Sequence, residues 1–237
     1  MSSPSLLVTA AHFALVSALV MTGRAVFERS MPLGARGPAR RAAFLGIALA
    51  WLGGTWSLAR AGLLYSPEAD PPRVVFLLGP AVLGTLLLCW SPFADRLLAA
   101  VSPRSLAAFQ LFRVPVELIL WQLAREGLLP ARLSFEGSNP EWIAMVTLPV
   151  VLWATRGGRA RWLLLAWNVL GLATLARIVA LAVRSMPGPW LAFEDGSTNA
   201  IVLTSSFVWV PCVYVLTALA SHVLALRGLM RGERAGR

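Results

Sequence analysis

The chain is expected to be an all-α polytopic membrane bundle of about seven transmembrane helices, N-terminus outside and C-terminus cytoplasmic. Of its 237 residues 57% are hydrophobic and only 14% charged, with ten Trp, against about 25% charged in soluble domains; mean hydropathy is +0.70. Apolar segments recur at the length of roughly 20 residues that spans about 30 Å of hydrocarbon as helix. The basic residues alternate between these segments, as they do when short cytoplasmic loops collect Arg.

The spans fall at about 5–23, 42–62, 74–93, 106–124, 141–155, 162–183 and 200–226, so 1–237 reads as one integral membrane domain. The first, "SLLVTAAHFALVSALVMTG", has no basic stretch ahead of its apolar centre and reads as a retained helix, not a cleaved signal peptide. The second contains "LGGTW", a small-residue packing signature. The fourth, "LFRVPVELILWQL", carries Arg113 and Glu117 around Pro115. The sixth carries Asn168, Thr174 and Arg177. The seventh has Pro211 and the polar series Thr204, Ser205, Ser206, Tyr214, Thr217, Ser221 and His222, for which helix packing is the first account.

Fourteen of the 21 basic residues lie in "RAVFERSMPLGARGPARR", the 94–105 loop, "RGGRAR" and the tail "RGLMRGERAGR". The opposite loops hold Arg73, Arg125, Arg132 and Arg184 beside Glu68, Asp70, Glu126, Glu136, Glu141, Glu194 and Asp195. The net charge of +10 is therefore an orientation signal and not a nucleic-acid footprint.

An ionisable side chain at membrane depth costs about 2.5–3.5 kcal/mol on insertion scales and faces the bundle or a wet cavity. Gln110, Arg113, Glu117 and Trp121 are spaced 3, 4 and 4 residues apart, which at 100° per residue makes one stripe along which Arg113 and Glu117 can pair. Arg177 and His12 fall at depths comparable with Glu117. A pocket lined by Arg113, Glu117, His12, Arg177, Gln110 and Asn168 is the expected ligand site. The competing account is that the Arg113–Glu117 pair only orients its helix.

Several chemistries are argued against. A retinal Schiff base needs a lysine, and the chain has none. Haem between two histidines needs both near one plane, whereas His12 is expected in the outer half and His222 near the inner end. The Cys and His spacings make no zinc site, and no G-x-S-x-G elbow or phosphate-cradling G-x-x-x-x-G-K-[ST] occurs. No catalytic or metal residue is assigned. The cofactor is left open.

"FRVPVELILWQLAREGLLP", "FEGSNPEW", "WNVLGLATLARIVALAVRSMPGPW" and "FVWVPCVYVLTALASH" carry a resemblance to an uncharacterised family of small bacterial multi-pass membrane proteins, over about residues 111–227. The shared pattern is F-R-x-x-V-E, F-E-G-x-N, W-N-x-x-G-L and F-V-W-x-P. The resemblance implies motif positions at Arg113, Glu117, Glu136, Gly137, Asn139, Trp167, Asn168, Trp209, Pro211 and His222, and no activity. Arg177 stands where the family has Asn, and "NPEW" replaces an Asn-Phe-Asp type sequence.

These readings converge on a non-enzymatic binding or transport-type protein of the bacterial cytoplasmic membrane. Its expected partners are the lipid bilayer, a small-molecule or lipid ligand, and a membrane protein or a second copy of the chain, with no nucleic acid. The alternatives are an accessory or scaffold subunit and a membrane enzyme acting on a lipid-linked substrate.

Overall fold

A computed structural model describes residues 3–31, 37–204 and 206–234, with side chains as far as Arg231. Ser205 lies outside the described residues. The helices are α1 (Leu6–Arg29), α2 (Gly37–Arg60), α3 (Val74–Cys89), α4 (Pro92–Ala100), α5 (Pro103–Arg125), α6 (Glu141–Ala154), α7 (Arg161–Arg184) and α8 (Ser206–Arg231), with a short turn of helix at Ile201–Thr204. No strand occurs among the described residues.

Five helices are long and apolar enough to cross a membrane, or six if α3 and α4, bent by 63°, form one broken crossing. The helices fit a multi-pass membrane protein. Two of the expected spans differ in form. The 74–93 segment stops at Cys89, where Ser91 Oγ accepts from Ala94 N–H at 3.4 Å and Pro92 opens a new helix, a cap and first-turn proline that together restart a chain in a new direction. The 141–155 segment is a helix of 14 residues, about 21 Å long at 1.5 Å per residue. It is too short to traverse about 30 Å alone.

The polar ends of the helices sort into two groups. Arg24 and Arg41 bracket Glu28 at 3.0 and 3.1 Å. Arg104 donates to Leu152 O at 2.9 Å, Arg161 to Leu229 O at 3.0 Å and Arg227 to Cys89 O at 2.6 Å, while Arg231 and Arg227 both meet Asp95. With Phe27 of α1 packed on Phe93 of α4 at 5.8 Å between ring centroids, these contacts gather the end of α1, the start of α2, the end of α3, the start of α5, the end of α6, the start of α7 and the end of α8 at one basic pole. At the other pole Glu126 accepts from Ser5 N–H at 3.0 Å and Asp70 from Trp190 Nε1 at 2.8 Å. Successive helices from α1 to α3 and from α5 to α8 therefore run in alternating directions.

Two helices are irregular at mid-length. In α5 the turn Gln110–Phe112 is 3₁₀, and Pro115 falls in the first turn of the α-helical piece that follows it; a proline there removes a donor that the helix start leaves unpaired in any case. In α8 the segment Val210–Val215 is π-helical around Pro211, and such widened turns accompany functional sites.

The connection from α5 to α6 enters the molecule. Gly127 (φ +71) ends α5, with Leu128 N–H bonding Leu123 O at 2.9 Å and Gly127 N–H bonding Ala124 O at 3.0 Å, the paired bonds of a Schellman stop. Leu129, Leu133, Ser134 and Asn139 are then buried. Ser138 N–H returns to Arg132 O at 3.1 Å, and Gly137 packs on the Ala131 carbonyl so closely that a side chain there would collide with it. Non-helical backbone at this depth is tolerated where protein buries it.

Candidate functional site

The folded loop places Asn139 and Glu141 beside α5. Asn139 Oδ1 accepts from Glu141 N–H at 3.0 Å, satisfying an orphan donor at the start of α6, and Asn139 Nδ2 donates to Glu117 Oε1 at 2.7 Å. Arg113 forms an ion pair with Glu141, and both side chains are buried. The expected direct pairing of Arg113 with Glu117 is not formed: Arg113 takes Glu141 at the start of α6 and Glu117 takes Asn139 of the loop. The reason is local: Glu141, assigned from its neighbours to an outer loop, is carried inward by a loop too compact to be read from its length.

Arg113 also reaches α8. Its Nη1 lies 3.1 Å from His222 Nε2, and His222 Nδ1 lies 3.0 Å from Asn168 Oδ1. Asn168 Nδ2 donates to Leu164 O at 2.8 Å, which leaves its carbonyl oxygen to accept from His222 Nδ1–H. The other ring nitrogen is then the acceptor for Arg113, so the chain of bonds fixes one tautomer. Trp167 flanks the imidazole with ring centroids 5.4 Å apart. Gly171 lets the ring sit against the α7 backbone, for any side chain at that position would overlap the imidazole. Gln110 Nε2 donates to Ala218 O at 3.0 Å, adding a second tie from α5 to α8.

Of the residues expected in the site, Arg113, Glu117, Gln110 and Asn168 are buried; Arg113, Glu117 and Asn168 join the network, with Gln110 one turn away on α5. His12 and Arg177 do not join. Arg177 is exposed on α7, because similar depth on two helices does not make their faces meet. His12 is fully buried elsewhere, between α1 and α8: Nε2 meets Ser206 O at 3.0 Å, Nδ1 accepts from Tyr214 O–H at 2.9 Å, and Phe207 stacks on the ring at 4.5 Å. Asn139, Glu141 and His222 are the site residues that the spacing argument did not place there. Asn139 and Glu141 just ahead of an apolar run, a helix-start signal, and Gly171 three residues after Asn168 were the available clues.

Beside the network lies an open cavity of about 1010 Å³, its mouth included. Most of its wall is hydrocarbon, but Arg113, Glu117, Glu141, Asn199 and Tyr214 also line it. The π-turn of α8 contributes Val210, Pro211 and Tyr214. Its half-buried lining residues lie on α3 (Leu78, Val82), on α7 (Ile178, Val179, Ala182, Val183) and on α8 (Val210, Pro211, Val215). Buried atoms without a hydrogen-bond partner include Glu117 Oε2, Glu141 Oε1, Asn199 Oδ1 and Arg113 Nε, and all four belong to residues of this wall. No cluster of three or more His, Cys, Asp or Glu suited to a metal ion occurs among the described residues. No family model, curated protein or solved structure matches the chain.

Proposed function

We propose that the chain is a binding or transport-type protein of the bacterial cytoplasmic membrane whose ligand is an amphiphile held in this cavity. The observation that carries the reading is the composition of the cavity wall, hydrocarbon over most of its area and charged at one end, with unpaired polar atoms of Glu117 and Glu141 at that end. Buried polar groups are normally hydrogen-bonded, so unpaired ones around an open cavity mark where a ligand's head group docks. In a bilayer the α3–α7 side faces acyl chains, which allows lateral entry.

In this reading the membrane contains seven crossings, with α3 and α4 counted as one and α6 completed by the inserted 126–140 loop. The basic pole is then cytoplasmic by the positive-inside rule, and the N-terminus and the cavity lie toward the outer face. Native mass spectrometry of gently extracted wild type and Glu117→Gln tests it. A co-purifying amphiphile present in the wild type and depleted in the variant is the expected result. Clean apo mass for the wild type, also after incubation with a panel of lipids, would sink the reading.

A second reading has its own observation: Arg113 ties α5 to α6 and α8, and through His222 and Asn168 to α7. An accessory or scaffold subunit held in shape by that network needs no ligand. It predicts that removing one charge of the pair lowers stability and that replacing both Arg113 and Glu141 by apolar residues recovers much of the loss.

A further inference from the structure

The charges in the cavity do not balance, and the imbalance specifies the ligand. By formal charge the site holds two carboxylates, Glu117 and Glu141, and one guanidinium, Arg113, whose direct ion pair is with Glu141, so one carboxylate is in excess. Glu117, 5% exposed, is a lining residue of the cavity; Asn139 occupies its Oε1, and its Oε2 is buried without a hydrogen-bond partner. Glu141 Oε1 and Asn199 Oδ1 are further acceptors without a hydrogen-bond partner on residues of the same wall, against the Arg113 guanidinium, whose Nε has no partner and whose Nη2 is held in the ion pair with Glu141.

Resting on the cavity reading above, we infer that the occupant is a cationic amphiphile, a hydrocarbon chain ending in a primary ammonium group, with the ammonium on Glu117 Oε2. An ammonium supplies one positive charge and three donors with no acceptor, which answers both the charge excess and the surplus of acceptors. A fatty alcohol supplies a single donor and no charge. A fatty acid anion adds a second uncompensated negative charge in low dielectric, where like charges repel strongly. The remainder of the molecule packs on Leu78, Val82, Leu120, Ile178 and Val202, which offer nothing but hydrocarbon.

Two sources could provide this chemistry, a free single-chain amine or the ethanolamine head of a bilayer lipid. The experiment uses the full chain in phosphatidylcholine nanodiscs and measures, by thermal shift and native mass spectrometry, binding of dodecylamine, dodecanol and laurate. Dodecylamine is expected to bind about 10- to 100-fold more tightly than dodecanol, the range of one charge-assisted hydrogen bond, with laurate weakest. Glu117→Gln is expected to erase the preference for the amine. Competition by phosphatidylethanolamine in the disc would support the inference with a bilayer lipid as the source; no competition would support it with a free amine.

Ala182→Trp, which fills the apolar body of the cavity and leaves Glu117 untouched, separates the two levels of the argument. Binding of dodecanol or laurate at least as tight as dodecylamine, lost in Ala182→Trp, would overturn the cationic ligand and keep the cavity. Amine binding unaffected by both Glu117→Gln and Ala182→Trp would overturn both. The comparison of the three probes on wild-type protein decides the inference even if Glu117→Gln fails to fold.

Discussion

Two histidines, each fully buried, sit in two polar networks of different construction. Around His12, every partner is neutral and every bond is closed: Ser206 O and Tyr214 O–H take the ring nitrogens, while Trp51 Nε1 donates to Cys212 O at 2.9 Å and Trp209 Nε1 to Leu52 O at 3.1 Å. None of these side chains has an unpaired buried polar atom. The bonds to Ser206 and Cys212 satisfy carbonyls along the irregular start of α8, where proline and the π-turn interrupt the ordinary ladder. Around His222, by contrast, the network contains formal charges, joins four helices and ends in unpaired atoms beside a cavity. Burial and a satisfied imidazole are thus common to both, and what distinguishes a structural network from a candidate site is where its hydrogen bonding stops short.

The largest expected effect breaks the second network at its centre. Arg113→Leu leaves Glu141 buried without its counter-charge, a loss of about 3–5 kcal/mol, read as a fall in thermal unfolding temperature in detergent. Arg113→Leu combined with Glu141→Leu should recover much of it, because the two matched charges leave together and the Glu117 carboxylate is as unmatched as in the wild type. Next comes Gly171→Ala, which drives a methyl group into the imidazole and should cost about 1–3 kcal/mol by overpacking; in a His222→Ala background the same change should be nearly neutral, and a double-mutant cycle in thermal unfolding measures the coupling.

The closed network should respond less. His12→Phe keeps the ring but strands Ser206 O, while the Tyr214 hydroxyl keeps its bond to the carbonyl of residue 12 at 3.2 Å; the expected loss is about 0.6–1.7 kcal/mol, from the average to the largest value for hydrogen bonds between membrane helices. The lipid content seen by native mass spectrometry should not change. The smallest stability effect belongs to Glu117→Gln, below about 1 kcal/mol, since the amide oxygen still accepts from Asn139. Its bound ligand should nevertheless disappear. A large destabilisation by Glu117→Gln with ligand retained would reverse the contrast drawn between the two networks.

Much of the frame was legible in the residues. Apolar length announced the helices, and the 3, 4, 4 spacing of Gln110, Arg113, Glu117 and Trp121 announced a polar stripe whose first three members are buried. The gathering of basic residues at one pole followed from their alternation along the chain. Partners were illegible for a physical reason: periodicity fixes which face a side chain occupies on its own helix but not which helix lies opposite. Arg113 meets a histidine 109 positions away, and nothing local encodes that distance. Arg177 failed in the converse way, since depth was inferred from rise along the helix while its azimuth turned it outward. The form of α6 was hidden because an apolar run of 14 residues reads the same whether a loop or lipid headgroups cover its upper end.

The inserted loop has a consequence for how this chain can vary. Connections between helices usually absorb insertions and deletions freely, since little depends on their length. Here Gly127 and Gly137 set two turns at fixed positions, and Asn139 and Glu141 are delivered to Glu117 and Arg113 by the count of residues between them. One residue more or fewer between 128 and 138 would shift both polar side chains out of register together. The stretch that topology would mark as the most permissive is therefore the one whose length is held most rigidly, and laboratory tags or epitope insertions belong elsewhere.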